Sequence, residues 1–198
     1  MCGRLNVIDD PLSRIVCEKL GIKFSTPTNT DLRPTQNVST VGIKNGELVQ
    51  LDLPWGIQPD WAKRIIINAQ AETVAVKPTF AAAFEHHRVL VPCSGWYEWR
   101  EEQGKKVKYL FSQGASKALF MAGIAAENGT KLIILTTKPT PQCAEYHHRM
   151  PLLITQDSLL IWLSGKWPEV FGLLSHQFDE NLSIKSGDKN GDSGQFKT

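Results

Sequence analysis

Asn45-Gly46, set between two β-prone runs, constrains this chain more than any other pair of residues. An Asn-Gly pair accepts positive φ at both positions and matches the twist of two antiparallel strands. Val38–Lys44 and Glu47–Leu53 therefore read as a hairpin. Similar runs follow: Val89-Leu90-Val91-Pro92, Trp96–Arg100, Val107–Phe111, Ala118–Ile124 and Lys131–Thr137 read as strands. Glu101–Lys106 reads as a charged turn, and Asn128-Gly129 as a second hairpin turn. Ile65-Ile66-Ile67 reads as a short buried strand ending at Asn68, and Leu152–Thr155 as the last strand. Helical patterns are fewer. Leu12, Ile15, Val16 and Leu20 repeat at helical spacing behind Asp9-Asp10-Pro11, where aspartate is expected to cap, and Gly21 stops the run. Phe80–His87, Ser158–Leu163 and Pro168–Leu174 read as short helices, and residues 22–37 as a long loop. The expected fold is α+β, strand-rich, with a central antiparallel barrel-like sheet and peripheral short helices. No linker divides the chain, so residues 1–180 are expected to form one domain. Residues 181–198, glycine-rich and polar from Gly187 on, are expected to be a disordered tail.

Charge and cysteine use exclude several classes. Of 198 residues, 41% are hydrophobic and the net charge is +2, so a nucleic-acid surface must be a local patch. The longest apolar runs, such as Leu132-Ile133-Ile134-Leu135, are too short to cross a membrane. No basic-then-apolar signal segment opens the chain. Cys2, Cys17, Cys93 and Cys143 are widely spaced, which argues against a zinc ribbon and fits a reducing cytoplasm. Adjacent histidines, as in His86-His87 and His147-His148, do not easily share one tetrahedral ion; no metal and no cofactor is expected.

Met1-Cys2-Gly3-Arg4 points to chemistry. Loss of Met1 before a small residue leaves Cys2 with a thiol and an α-amine on adjacent carbons. The amine condenses with an aldehyde, and the thiol closes a five-membered thiazolidine. Ordinary pKa values of about 8 for the amine and about 8.5 for the thiol keep a useful fraction of each reactive near neutrality. Three more polar residues stand out against apolar flanks: Asn68 after three isoleucines, Glu98 between Tyr97 and Trp99, and His147 before Arg149-Met150-Pro151. Trp55 and Trp61 lie on one loop between turn formers, where both a lid over the core and a base-stacking platform fit, the lid better.

Taken in order, Met1-Cys2-Gly3-Arg4, Arg33-Pro34-Thr35-Gln36, Trp55-Gly56 with Trp61-Ala62-Lys63, Asn68-Ala69 with Ala71-Glu72-Thr73, Lys77-Pro78 with Phe80, Gly95-Trp96-Tyr97-Glu98-Trp99, and His147 with Arg149-Met150-Pro151 form a specific set. That set resembles the SRAP (SOS response-associated peptidase) family from residue 1 to about residue 163. The resemblance implies a sensor of abasic sites in single-stranded DNA, acting in the cytoplasm as a monomer. The N-terminal cysteine would form a thiazolidine crosslink with the ring-opened sugar, and a self-cleavage would remove the initiator methionine. Carried over by position, Cys2 is the nucleophile and Asn68 holds the N-terminus and the sugar-derived group. Glu98 and His147 are the acid–base pair, while Arg4 and Arg149 are phosphate ligands. Trp55 and Trp61 are expected to stack on, or wedge against, bases beside the lesion.

Two departures matter. Gln70 and Ala81 stand where the family's pattern carries arginines, so weaker and more salt-sensitive handling of DNA is expected. Lys63, Arg64, Lys77 or Arg88 could compensate. Three other readings stay open. An N-terminal-nucleophile glutamine amidotransferase also begins Met-Cys-Gly, and Asn45-Gly46-Glu47 resembles one of its motifs. A non-covalent single-stranded DNA-binding module and a peptidase acting on other proteins are the others.

Overall fold

The computed structural model describes residues 2–186. Its strands are β1 (Leu5–Val7), β2 (Asn29–Leu32), β3 (Asn37–Lys44), β4 (Glu47–Pro54), β5 (Asn68–Gln70) and β6 (Arg88–Cys93). They continue as β7 (Gly95–Glu102), β8 (Lys105–Ser112), β9 (Leu119–Ala125), β10 (Lys131–Thr137), β11 (Met150–Pro151) and β12 (Ser183–Ser186). Two sheets result. One runs β12-β8-β7-β1-β2; the other runs β11-β10-β9-β6-β3-β4, with β5 also pairing β10. The α+β, strand-rich expectation holds. Buried apolar side chains from Cys2 to Leu182 form one continuous cluster.

The hairpin turn behaves as its residues dictate. Asn45 (φ 54°) and Gly46 (φ 81°) both take positive φ, and β3 pairs β4 from Asn37↔Pro54 to Lys44↔Glu47. The amidotransferase-like Asn45-Gly46-Glu47 is thus accounted for by a turn. Glu101–Lys106 is not a charged turn. Glu101↔Lys106 and Glu102↔Lys105 are opposed pairs within the β7–β8 ladder, where opposite charges attract across strands. The turn itself is Gln103-Gly104, both at positive φ.

Other expectations shift. Helix α1 spans Asp9–Leu20, but no aspartate side chain caps it, and the Asp9 N–H goes to Thr28 Oγ1 at 3.0 Å. Helix α2 spans Pro78–His86, with Pro78 in its first turn. Within the expected loop 22–37, Asn29–Leu32 forms β2 against β1. The triple isoleucine contributes only a bridge, Ile57↔Ile66, and the strand begins where it was expected to end: Asn68–Gln70 pairs parallel to β10. The final strand of that region is Met150–Pro151 rather than Leu152–Thr155, although Leu153 bridges Met121. Helices Leu159–Ser164 and Trp167–Leu173 lie within a residue of expectation. The tail expected from residue 181 is corrected at its start, because Ser183–Ser186 pairs with β8. The remainder, Gly187–Thr198, lies outside the described residues.

One joint positions everything that follows. Between β6 and β7 stands a single residue, Ser94, and there the chain steps from one sheet to the other. Its N–H donates to the Asn6 carbonyl at 2.9 Å, and its Oγ accepts from the Ile8 N–H at 3.0 Å. Gly95 and Trp96 then pair with Asn6 and Leu5. The start of the chain is therefore stitched into the sheet interior, and a frayed terminus is excluded from Leu5 on.

Candidate functional site

The pairing of β1 with β7 continues outward, since the Tyr97 N–H donates to the Arg4 carbonyl at 3.0 Å. That holds Cys2 close to the middle of β7, and Cys2 is wholly buried. Its thiol is raised well above the ordinary cysteine value, first by burial and then by the field of Glu98. Glu98 is 4% exposed. Alternation along β7 sends its side chain to the same face as buried Trp96, away from Tyr97 and Trp99. Burial pushes its carboxyl up to about 7.

Asn68 comes from the other sheet. The parallel pairing of β5 with β10 presents its amide to the chain start, where Nδ2 donates to the Cys2 carbonyl at 2.9 Å. The Asn68 Oδ1 is buried and has no hydrogen-bond donor among the described residues.

His147 lies on the segment entering β11, which pairs β10 beside the strand that carries Asn68. Its N–H donates to the Cys143 carbonyl at 3.1 Å, and Cys143 feels the Glu98 field. Its Nδ1 sits 3.1 Å from the Arg149 backbone nitrogen, and its ring stacks on His148 at 4.3 Å between centroids. Burial lowers its pKa below the usual imidazole value. The neighbouring Tyr146 packs edge-on against Tyr109 (4.7 Å) and Phe111 (5.3 Å), with the Arg100 guanidinium 4.6 Å from its ring centre. Tyr109 is the cross-strand partner of Glu98. Sequence reading missed Tyr146, Tyr109 and Arg100, which press the histidine-bearing segment onto the strand pair that carries the carboxyl. Their only sequence signal is aromatic placement, which core packing explains equally well.

The expected DNA-contacting residues divide. Trp61 is 68% exposed, and Gln70 is exposed on β5. Trp55 is corrected: it is fully buried, its indole N–H donating to the Ile67 carbonyl at 3.0 Å, so no base can stack on it. Arg88 is also removed from the compensating cations. Its guanidinium is spent on the carbonyls of Trp162 (2.7 Å), Gly165 (2.9 Å) and Phe84 (3.0 Å). Lys63, Arg64 and Lys77 remain exposed. Arg4 is held by Asp31. Arg149, 13% exposed, forks onto Glu72 at 2.8 and 2.7 Å and also donates to the Thr136 carbonyl at 2.6 Å.

Arg149→Ala strips donors from Thr136, which is wholly buried, as well as from Glu72. A buried acceptor left without its donor costs about 1–3 kcal/mol. Calorimetry should show a lower Tm, and Arg149→Lys should recover little because ammonium lacks the planar fork. An unchanged Tm in Arg149→Ala would mean that water satisfies the carbonyl.

Among the described residues no group of three or more His, Cys, Asp or Glu side chains is placed to hold a metal ion. Nor is any helix there long and apolar enough to cross a membrane.

Fold and site together define a two-sheet α+β protein with a buried thiol at the start of its chain, within electrostatic reach of a carboxyl raised toward neutrality. The chain belongs to the SOS response associated peptidase (SRAP) family, whose model matches residues 1–186. Abasic site processing protein YoqW of Bacillus subtilis (strain 168) is 30% identical over 183 residues, covering 84% of this chain and 81% of that protein. Abasic site processing protein YoaM of the same organism is 31% identical, covering 84% and 80%. Abasic site processing protein YedK of Escherichia coli (strain K12) is 30% identical over 123 residues, 57% of this chain and 55% of that protein. The crystal structure of a phage-related protein from Bordetella bronchiseptica superposes with a TM-score of 0.77 at 20% identity, covering 95% of both chains. That likeness is one of fold.

Proposed function

We propose that this protein processes abasic sites in single-stranded DNA by joining Cys2 covalently to the sugar after Met1 is removed, shielding the lesion. One observation carries the reading. Asn68 grips the Cys2 carbonyl at 2.9 Å while Glu98, buried and raised toward neutrality, lies within electrostatic reach of the Cys2 thiol. Relatives named for abasic site processing, similar over most of the chain, support it.

An abasic sugar is mostly a closed hemiacetal. Opening it gives a proton to the ring oxygen and takes one from the C1′ hydroxyl. Burial drives Glu98 up and His147 down, so near neutrality the carboxyl holds a proton to give and the neutral imidazole can take one. The Cys2 amine then adds to the C1′ aldehyde, and water leaves as the imine forms. The thiol adds to the imine carbon, its proton passes to the nitrogen, and the thiazolidine closes. Overall, aldehyde and aminothiol lose one water. On this reading the Asn68 Oδ1, buried and without a donor among the described residues, accepts from the amine or a sugar hydroxyl. The self-cleavage that exposes the amine belongs to the same reading.

The test mixes purified protein with a single-stranded oligonucleotide carrying one abasic site, and reads a denaturing gel and intact mass. The expected product weighs the protein without Met1 plus the oligonucleotide, less one water, and is absent with Cys2→Ala. Protein whose mass shows Cys2 exposed and which gives no adduct would sink the covalent reading. DNA retention unaffected by Cys2→Ala would favour simple binding.

A further inference from the structure

Arg4, just before β1, Arg33, just after β2, and Lys108, within β8, come from three separate segments yet converge on one carboxylate. Arg4 donates to Asp31 Oδ1; Arg33 holds Oδ2 through Nε at 3.0 Å and through Nη2; Lys108 reaches Oδ1 at 3.5 Å. The cations rest on an aromatic floor. Lys108 Nζ is 3.9 Å from the Tyr97 ring centre and 5.8 Å from that of Trp99, and the Arg4 guanidinium is 5.5 Å from Trp99. The Arg4 Nε is buried and has no acceptor among the described residues.

Three cations for one carboxylate are more than its charge requires. The arrangement offers forked donors to two oxygens, the geometry that guanidinium groups match to phosphate as well as to carboxylate. Arg4 is two residues from Cys2, a reach of at most about 7 Å along the chain. The cluster lies on the Tyr97–Trp99 face of the β7–β8 ladder, opposite the face that carries Glu98, so the phosphate it would meet is one flanking the lesion and not that of the reacting sugar.

Resting on the function proposed above, we infer that Arg4, Arg33 and Lys108 form a seat for a backbone phosphate of the DNA strand, and that Asp31 occupies it in the free protein. The carboxylate mimics the phosphate, keeps the cations ordered, and holds down affinity for undamaged strands until a phosphate displaces it. The hydrogen bonds from Arg33 and Arg4 lower the Asp31 pKa to about 2, so protonation does not vacate the seat at any physiological pH.

Fluorescence anisotropy with a labelled single-stranded oligonucleotide lacking any lesion, titrated over a range of NaCl, tests this. Asp31→Asn keeps the shape and removes the charge. It should bind about fivefold tighter at low salt, the effect of one unit charge at contact in water. Its log K against log salt should steepen by about 0.7, the slope for one more neutralised phosphate on a single strand. Arg33→Gln and Lys108→Gln should each bind more weakly with a shallower slope, and they carry the test if Asp31→Asn melts early. A wild-type adduct with an abasic oligonucleotide, combined with unchanged affinity and slope in Asp31→Asn, overturns the inference alone. Weaker binding by a stably folded Asp31→Asn also overturns it, because Asp31 would then be an organiser of the site. Tighter binding without any adduct keeps the seat and removes the covalent reading. No binding and no adduct removes both.

Discussion

Glu98→Gln should slow adduct formation by about 10²–10⁴-fold, the range a positioned proton donor contributes. Glutamine keeps the shape but has no proton to transfer. Noncovalent affinity for an undamaged strand should be unchanged, since Glu98 is 4% exposed. The pH profile gives a second handle. In the proposed mechanism Glu98 acts protonated, so the rate should fall as pH rises through about 7. In the same mechanism His147 acts neutral with its pKa lowered, so the rate should also fall on the acid side, below the ordinary imidazole value. The bell loses its alkaline limb in Glu98→Gln. Stability follows the same titration. A carboxyl raised on folding contributes fully below its unfolded pKa, and that contribution is lost as pH rises through its folded value. The wild-type Tm should therefore decline from about pH 5 to about pH 8 relative to Glu98→Gln, the window that brackets the raised carboxyl. Rapid-quench kinetics across pH check the first claim, and a rate within threefold of wild type would remove Glu98 from the proton transfer.

Gly95→Ala should lower stability by about 1–3 kcal/mol or more. A Cβ there would lie 2.4 Å from the Phe111 carbonyl oxygen and 3.0 Å from Leu110 Cδ1. The first of these is backbone within the β7–β8 ladder, so relief requires moving strands apart. For a chain of this length, each kcal/mol corresponds to about 2–4 °C in Tm. The damage should reach the site, because Gly95 pairs with Asn6 in the strand that seats Cys2. Expected results are a reduced Tm and slower adduct formation in the folded fraction. A Tm equal to wild type would show slack between the strands that the packing of Trp96 on Phe111, 4.9 Å apart, argues against.

Legibility followed locality. The Asn45-Gly46 hairpin and β10 at Lys131–Thr137 could be read directly, because their turn chemistry and β-prone runs are local. Strand β2 could not. Asn29–Leu32 has little β character, and only pairing with β1 makes it a strand. The parallel pair β5–β10 joins residues far apart in sequence and overrode the isoleucine run beside it. Cys2, Asn68, Glu98 and His147 could be singled out as types, and the hydrogen bond between Asn68 and Cys2 needed the fold. Charges misled most. Arg88, counted as a cation available to DNA, is spent on carbonyls, and Asp31, silent in the sequence, gathers Arg4, Arg33 and Lys108.

Strand β1 has a mechanical consequence. It is flanked by β7 on one side and β2 on the other. Tension on DNA joined at Cys2 would enter β1 along its axis and load the hydrogen bonds to both neighbours in shear, together instead of one by one as in peeling. A motor running into the joined strand would pull against the sheet itself. Disassembly of such a joint would start at an edge of that sheet, β12 or β2, the outer neighbour of β1, where a strand can be peeled singly.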